Sequence, residues 1–323
     1  MSSVHSLKSS DKLLGHGAML FFAFLVSISF FSGNRAALYI EPAVLNLIRF
    51  TIAGLIMGTI AFSNNHFQDK DNRLEKIEKP DHDNFKLSLP EAPWRFLILG
   101  GLIAFYMITM FYALGVSNSV SVGAVFTLMP LLTTIIGFIM LKQVTSLIGL
   151  VSLMCAFFGA IWVIFDGDFD AIKRFEVGTG EIVFFFGVVA HAFFSPLLKK
   201  FNRNEPGTVF TFWIIAGGVL WLLLASLPSL VSTNWFSMPL IVWVTIIYLA
   251  VFATCGTFFL MQFAMQRIPV GKANAYIYLT PGYIIIMEGL AGTGWASMSV
   301  IAGAGLIVAG LIVLILSPEG TRI

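Results

Sequence analysis

Long apolar runs separated by short polar segments dominate the chain. Ten of these runs are close to the ~20 residues that an α-helix needs to cross a hydrocarbon core ~30 Å thick. They are rich in Leu, Ile, Phe and Ala, which predicts helices and not the short alternating strands of a membrane barrel. The ten predicted spans lie at residues 16–33, 42–62, 95–114, 120–141, 144–165, 180–198, 207–227, 239–264, 269–288 and 296–316.

Composition supports this pattern. Hydrophobic residues make up 58% of the 323 residues and charged residues 11%, whereas soluble domains have roughly 45–50% apolar and 25% charged residues. The polar segments are too short to form separate domains. We therefore predict an all-α integral membrane protein in contact with lipid, located in the inner membrane if the source is bacterial.

Lys and Arg are distributed unevenly between the loops on the two sides. If the N-terminus is cytoplasmic, fifteen of the 19 Lys and Arg residues fall on that side. Three others, Arg35, Lys173 and Arg174, lie outside, and Arg49 lies within a span. Because cytoplasmic loops carry an excess of positive residues, we predict that the N-terminus is cytoplasmic. An even number of spans then places the C-terminus on the same side.

Two stretches of the chain look like copies of one unit. Residues 121–164 and 272–315 align at a constant offset of 151 residues and share eight of 44 positions, Pro130 and Pro281 among them. Each copy forms the last two spans of one half of the chain, and each half contains five predicted spans. An odd number of crossings per half places the second half upside down relative to the first, so two inverted five-helix repeats are predicted, an arrangement typical of transporters.

The predicted repeats divide the chain into five parts. Loop 63–93, inside the first repeat, mixes acidic and basic side chains and is predicted to be a solvated cytoplasmic linker, with a regulatory or partner site as the alternative. The parts are a cytoplasmic N-terminal segment at 1–15, a first repeat at 16–165, an outer linker at 166–179, a second repeat at 180–316 and a cytoplasmic tail at 317–323.

Three segments carry a likeness to a known family. Segment 40–50 contains Ile-Glu-Pro and Asn-Leu-Ile-Arg-Phe, and segments 111–130 and 262–281 each lead through small and polar residues to a Pro. In this order they resemble the drug/metabolite transporter superfamily, specifically its ten-helix EamA-type members. The Leu-Gly-Glu that often follows the central Pro helices of that family is missing, since Leu141-Lys142-Gln143 and Gly292-Thr293-Gly294 stand there. The substrate is therefore left unassigned.

The resemblance implies a secondary active transporter, commonly an exporter, that moves small metabolites, amino acids or related compounds by alternating access through a central cavity lined by both halves. An importer or facilitator of a polar metabolite is the alternative within transport. A polytopic membrane enzyme or a scaffold is the alternative outside it. The partners implied are a small-molecule substrate and either a coupling proton or an exchange substrate.

Arg49 is the charged residue deepest in a predicted span. A charge at that depth costs about 3 kcal/mol on insertion scales, so such residues usually face a cavity or a partner. One interpretation is contact with an anionic substrate group such as a carboxylate. The other is a packing Arg, or one whose side chain extends to the outer interface.

Two further titratable residues are candidates for coupling. His191 lies near the middle of the sixth span, where its titration near neutral pH suits proton coupling and its ring suits substrate binding. A structural His bonded within the bundle is the alternative. Glu288, at the outer end of the ninth span, is a candidate coupling or gate residue because apolar residues flank it; a solvated helix end is the alternative.

Pro130 and Pro281 occupy equivalent positions in the two repeats. A Pro inside a helix removes a backbone hydrogen bond and bends the span, here freeing the carbonyls of Phe126 and Ile277. We expect the two residues to shape the cavity and to act as hinges, with simple structural kinking as the alternative.

Polar and aromatic residues near these prolines are candidates to line the substrate site. Asn274 and Tyr278 are spaced by four and share a helical face. Interhelical hydrogen bonding is the rival role for each candidate. Besides Arg49 and His191, the candidates are Tyr106, Thr109, Thr127, Thr254, Thr257, Gln262, Asn274 and Tyr278.

Small residues are also placed for helix packing. Gly149 and Gly159 in the fifth span, and Gly303, Gly305 and Gly310 in the tenth, allow close helix approach. Such contacts are expected within the monomer, with a dimer seam as the alternative, so the oligomeric state stays open.

Several classes of chemistry have no motif in the sequence. There is no phosphate-cradling Gly-x-x-x-x-Gly-Lys-Ser/Thr and no His-Glu-x-x-His, Cys-x-x-Cys or Gly-x-Ser-x-Gly. We predict no catalytic residues, no metal site and no cofactor. The positive residues lie at membrane borders, which gives no reason to expect nucleic acid binding.

Overall fold

The computed structural model describes residues 9–72, 90, 92–142, 144–203 and 205–316. Residues 1–8, most of loop 63–93 and the tail 317–323 were assigned to the cytoplasm and lie outside the described residues. No strand is present in the described part, and nine of its helices are long and apolar enough to cross a membrane. The predicted all-α membrane class is confirmed.

The α-helices follow the order of the predicted spans. Several extend a few residues beyond the predicted spans, and α1 and α2 extend furthest, because α1 begins in the predicted N-terminal segment and α2 continues into the predicted loop. A short helix, α7, lies in the predicted linker. The bounds are α1 Ser9–Ala36, α2 Pro42–Asn72, α3 Trp94–Val116, α4 Ser119–Phe126, α5 Met129–Leu141, α6 Leu147–Ile164, α7 Phe169–Arg174, α8 Thr179–Phe201, α9 Gly207–Ser232, α10 Leu240–Ala250, α11 Thr257–Met265, α12 Val270–Ala275, α13 Thr280–Leu290 and α14 Met298–Leu316.

Three of the predicted spans are interrupted. A turn separates α4 from α5, a π-helix at Val251–Gly256 joins α10 to α11, and a 3-10 helix at Tyr276–Leu279 joins α12 to α13. The last interruption explains why nine helical stretches in the described part are long enough to span, and not ten, when α4 with α5 and α10 with α11 are each counted as one stretch. The predicted ninth span, 269–288, is made of short consecutive pieces instead of one helix.

The two central prolines begin helices, which corrects the prediction that they kink helices from inside. Pro130 and Pro281 lie in the first turn of α5 and α13. Pro is tolerated there because the backbone N–H that it lacks would have no partner within the helix. The Ile277 carbonyl is not left free, since it accepts the N–H of Thr280 in the 3-10 turn.

Helices that are distant in sequence pack closely. The main pairs are α6 with α14, α3 with α8, α2 with α9 and α3 with α9. Glycines allow the first of these: a Cβ at Gly159 would lie 2.7 Å from the carbonyl oxygen of Gly303, and one at Gly310 would lie 2.7 Å from that of Ser152. Ser152 in turn donates its hydroxyl to the Gly310 carbonyl at 2.6 Å. These glycines therefore pack within the monomer.

The other two packing glycines have different surroundings. Gly305 faces open space, since a Cβ added there would have no neighbouring atom within 4 Å, and Gly149 meets Thr145 and Ser146 of its own turn. The prediction of close interhelical approach is therefore wrong for these two. The presence of a glycine does not show which way its position faces. Gly305 and Gly303, two residues apart on α14, face different directions.

A buried ion pair joins α3 to the connection between α8 and α9. Arg95 donates to Glu205 at 2.8 Å, with side-chain exposures of 2% and 10%, and also donates to the Phe201 carbonyl. Burial alone would raise the pKa of Glu205. Hydrogen bonds from the Arg203 amide and the Arg95 guanidinium outweigh it and hold that pKa below its usual range. The loop is thus fixed electrostatically to the start of α3.

Gly303→Leu should lower the free energy of unfolding by about 1–3 kcal/mol, because the new side chain meets Trp162, Val163 and the Gly159 carbonyl. The matched control is Gly305→Leu on the same helix, where the side chain enters open space. Thermal unfolding in detergent measures both. Equal losses would contradict the described packing of α6 on α14.

Glu205→Gln should lower stability by roughly 1–3 kcal/mol near neutral pH, because a charged hydrogen-bond partner of Arg95 is lost. A carboxyl group with a depressed folded pKa stabilises the fold above its ordinary pKa of 4.5 and loses that effect as the pH falls through the folded pKa. The difference between the two proteins in thermal unfolding should therefore shrink below about pH 4.5. A difference that is constant with pH would contradict the ion pair.

Candidate functional site

Arg49 lies at the centre of a polar cluster inside the bundle. Its Nε donates to the Thr254 hydroxyl at 3.1 Å, and its Nη1 contacts Asn46 Oδ1 at 3.5 Å and Met107 Sδ at 3.3 Å. We call these four residues the Arg49 cluster. They come from α2, α3 and the π-helix, so the cluster joins three elements that are far apart in sequence.

The π-helix places Thr254 toward the guanidinium. The Thr254 hydroxyl donates to the Leu249 carbonyl, five residues earlier, at 2.8 Å while it accepts from Arg49. A π-turn widens the helix and leaves some carbonyls without the N–H partner that an ordinary α-helix would supply. Such turns occur frequently at functional sites. Here the hydroxyl satisfies one of these carbonyls and the cation together.

The charge of Arg49 has no anionic counterpart in the described part of the chain. The residue is 3% exposed, and no described carboxylate lies within 4 Å of it. Its hydrogen bonds go to groups inside the bundle and do not reach a helix end. Arg49 is therefore not an Arg whose side chain extends to the interface. A buried cation bonded to neutral groups alone retains a strong attraction for an anion.

An aromatic cluster packs beside Arg49. The Tyr106 ring lies 4.6 Å from the ring of His191, 5.6 Å from Phe184 and 6.4 Å from Phe126, and Phe30 packs on both of these phenylalanines. His191 Nδ1 is buried and has no hydrogen-bond partner among the described residues. The predicted candidates Tyr106 and His191 are therefore in contact, through their rings.

Three threonines that were candidates to line the substrate site donate their hydroxyls to backbone carbonyls three or four residues earlier. Thr109 donates to Tyr106, Thr127 to Ala124, and Thr257 to Ala253, at 2.7–2.9 Å. A hydroxyl bonded to the carbonyl of the preceding turn is a common arrangement in apolar helices. Thr127 occupies the turn between α4 and α5, and Thr109 packs against Gly187 of α8.

The remaining predicted candidates are not gathered around Arg49. Gln262 is exposed and lies beside Gly207 at the start of α9. Tyr278 is 1% exposed and Asn274 is half-buried. Because α12 ends at Ala275, the spacing of four no longer places Asn274 and Tyr278 on one α-helical face.

Glu288 lies in a second polar site, at one end of the bundle. Arg35 Nη2 and Nη1 donate to its two carboxylate oxygens at 3.0 and 3.3 Å, Ser119 donates at 2.7 Å, and Thr293 donates at 2.6 Å. The network joins α1, α4 and the loop after α13. Arg35 also lies 3.6 Å from the centroid of the Phe31 ring.

These residues form part of the wall of an open cavity of about 620 Å³, which we call the Glu288 cavity. Sequence reasoning identified Glu288 but missed Arg35, which was counted only as a loop charge. A basic residue that closely follows an apolar span was the available signal. The polar residues lining the cavity are Asn34, Arg35, Asn118, Ser119, Ser121, Asp166, Glu288, Thr293 and Ser297.

Comparison with known proteins assigns the chain to a class. The described helices and the matches below define an integral membrane transporter of the drug/metabolite transporter kind. A sequence model of the EamA-like transporter family matches residues 13–165 and 178–316, so the chain belongs to that family. The resemblance inferred from the sequence is confirmed.

A curated relative agrees with this assignment, and a solved structure has a similar fold. The relative, "Uncharacterized transporter YyaM" of Bacillus subtilis (strain 168), is 26% identical over 220 residues, which are 67% of this chain and 71% of the relative. The solved structure is titled only "Crystal structure of protein". It has a TM-score of 0.61 and 18% identity, with 95% of this chain and 98% of that chain covered. At this identity the structural likeness concerns the fold alone.

Reversing one charge of the Arg35–Glu288 pair should destabilise the fold, and reversing both should restore part of the loss. We expect a coupling energy of about 0.5–3 kcal/mol between Arg35→Glu and Glu288→Arg in SDS-induced unfolding. The control pair, Arg174 and Glu176, is 64% and 56% exposed and should show coupling near zero. Additive effects at Arg35 and Glu288 would contradict the described network.

Proposed function

We propose that the protein is a secondary active transporter that exports a small metabolite carrying an anionic group, such as a carboxylate, by alternating access between its two halves. The observation that carries this proposal is the buried Arg49 guanidinium, which has no described carboxylate within ion-pair distance. An anionic substrate group supplies the missing countercharge. The family membership supports transport, and the family resemblance favours export.

The inverted five-helix repeat is part of the proposal, with α12, the 3-10 turn and α13 together forming the ninth of ten crossings. The helix contacts support it. An offset of five spans converts the α3–α8 pair into the pair formed by α10 and α11 with α1, and it converts α3–α9 into α10–α2; all of these pairs are in contact. The pairs α2–α9 and α6–α14 are converted into themselves.

Orientation follows from the charged loops. In the proposed orientation both termini are cytoplasmic, and the Glu288 cavity opens to the outside. The opposite face then carries the loops with the most Lys and Arg, as the positive-inside rule requires. The Arg95–Glu205 pair joins α3 to α8 and α9 on this cytoplasmic side.

Arg49 is suited to couple binding to movement because its hydrogen bond to Thr254 crosses the proposed halves. Arg49 belongs to the first half and Thr254 to the second. A substrate carboxylate that takes the Arg49 Nε–H releases the Thr254 hydroxyl from its role as acceptor. The π-helix then loses one of the contacts that hold it against α2, so binding changes the balance between two arrangements of the halves.

Two further assignments are part of the proposal. His191 is the candidate for proton coupling, because its buried Nδ1 has no described partner and its ring contacts Tyr106, next to the Arg49 cluster. Pro130 and Pro281 act as hinges, since each begins a helix directly after a break in its span. Rotation at such a break changes the angle of a half-span without breaking an α-helical ladder.

Flux in proteoliposomes tests the proposal. Radiolabelled carboxylates, among them amino acids and hydroxy acids, and their uncharged amides are screened for uptake and counterflow with and without a pH gradient. We expect flux of a carboxylate, with a loss of at least about tenfold in Arg49→Ala because a charged hydrogen bond to substrate is gone. Arg49→Lys should retain part of the flux, since the charge remains but the Nε–H does not.

Two comparisons make the result decisive. Arg174→Ala removes an exposed charge in the linker and should transport like the unmodified protein. Monodisperse elution and an unchanged unfolding midpoint must accompany the loss in Arg49→Ala. Carboxylate flux that is unaffected in a folded Arg49→Ala protein, or equal flux of acid and amide, would contradict the proposed role of Arg49.

A further inference from the structure

The Glu288 cavity carries unbalanced charge. Three charged residues line it, Arg35, Glu288 and Asp166, and the first two are paired with each other. Four donated hydrogen bonds from Arg35, Ser119 and Thr293 saturate the Glu288 carboxylate. The remaining charge is that of Asp166, which forms no ion pair with a described residue. The cavity therefore has an excess of one negative charge.

The backbone at Asp166 forms a hydrogen-bonded turn beside the cavity. It follows the end of α6 with a φ of 53°, in the left-handed region that glycine usually occupies at such a position. Its N–H donates to the Val163 carbonyl at 3.1 Å, and the N–H of Gly167 donates to Trp162 at 2.8 Å. The Ser299 hydroxyl also donates to the Gly167 carbonyl at 3.2 Å. These contacts fix the backbone of the turn that carries the Asp166 carboxylate.

A buried hydroxyl without a partner lines the same cavity. Ser121 is 3% exposed, and its Oγ has no hydrogen-bond partner among the described residues. Buried hydroxyls are rarely left unbonded, because the loss of water is then uncompensated. Its backbone N–H already donates a hydrogen bond to Asn118 Oδ1 at 2.7 Å. The hydroxyl is therefore a second, unsatisfied polar group at the wall of the cavity.

We propose that the Glu288 cavity is a binding subsite for a small ligand with a primary ammonium group, with Asp166 as its countercharge and the Ser121 hydroxyl as a hydrogen-bond acceptor. An ammonium group carries three donors and no acceptor, which matches a carboxylate and a hydroxyl oxygen. The volume of about 620 Å³ admits a small metabolite together with water. Asp166 is exposed, and the partial desolvation of its carboxyl, followed by the charge of Glu181, raises its pKa.

The inference deepens the proposed function and rests on it for its biological meaning. A ligand that presents ammonium to Asp166 at the cavity and carboxylate to Arg49 deeper in the bundle is a zwitterion. The subsite would then select such molecules at the mouth of the pathway. The experiment below needs no flux, so its outcome is separate from that of the transport assay.

Charge-selective labelling of a cavity cysteine tests the subsite. The native Cys155 and Cys255 are replaced by Ser and Ala, and Ala296, which lines the cavity, is changed to Cys in purified protein in nanodiscs. Rates of modification are compared for cationic and anionic methanethiosulfonates of similar size. We expect the cationic reagent to react faster, and the ratio of the two rates to fall by about threefold or more in Asp166→Asn. Asn tolerates the left-handed conformation, so the turn is retained.

The matched control is Asp168→Asn, which removes a charge two residues away that does not line the cavity. Asp168 caps α7 through the Asp170 N–H, and Asn caps a helix as well as Asp. This variant should leave the rate ratio close to that of the parent. Ethylammonium should also protect the cysteine from N-ethylmaleimide more than propionate does, and Asp166→Asn should abolish that protection.

Several outcomes would overturn the subsite. They are equal rates for the two reagents, a ratio that Asp166→Asn and Asp168→Asn change alike, and protection by propionate that equals protection by ethylammonium. Ser297→Cys provides a second position in the same cavity. If neither cysteine reacts with any reagent in the folded protein, the cavity is closed to solutes, which also contradicts the proposal.

Discussion

A guanidinium buried among apolar helices has to be solvated by the protein itself. Water is not present in a hydrocarbon core to do so, and an isolated charge there is costly. Arg49 receives a hydroxyl from the π-helix, an amide oxygen from its own helix and a thioether from α3. The positions of these three elements are therefore tied to one side chain. None of these ligands is charged, which leaves the site with an attraction for anions.

The backbone of the bundle is irregular at three places. A π-helix provides Thr254, and breaks at Thr127 and at Tyr276–Leu279 precede the two helices that begin with a Pro in their first turn. Irregular backbone at membrane depth is tolerated where it is buried in protein or lines a cavity. The extra groups that it exposes are bonded locally, as the Thr254 hydroxyl is to the Leu249 carbonyl. The Thr254 hydroxyl is thereby brought into the bundle while the Leu249 carbonyl keeps a hydrogen bond.

Hydropathy was enough to predict the all-helical membrane class, since nine long apolar helices are present in the described residues. It did not predict the interruptions, because a π-turn or a 3-10 turn keeps the same apolar composition as the helix around it. The depth of Arg49 was readable from the sequence, but its partners Asn46, Met107 and Thr254 come from three elements whose packing no local pattern encodes. The exposure of Gln262 was missed for the same reason.

The movement of the proposed halves around Arg49 is tested most directly by distances between spin labels. One pair, at Leu38 and Leu290, reports on the end with the Glu288 cavity, and another, at Val144 and Gln266, reports on the opposite end. Alternating access predicts that a transported carboxylate changes the two distance distributions in opposite directions, and that Arg49→Ala abolishes both changes. Distributions that stay fixed, or that widen or narrow together at both ends, would contradict it.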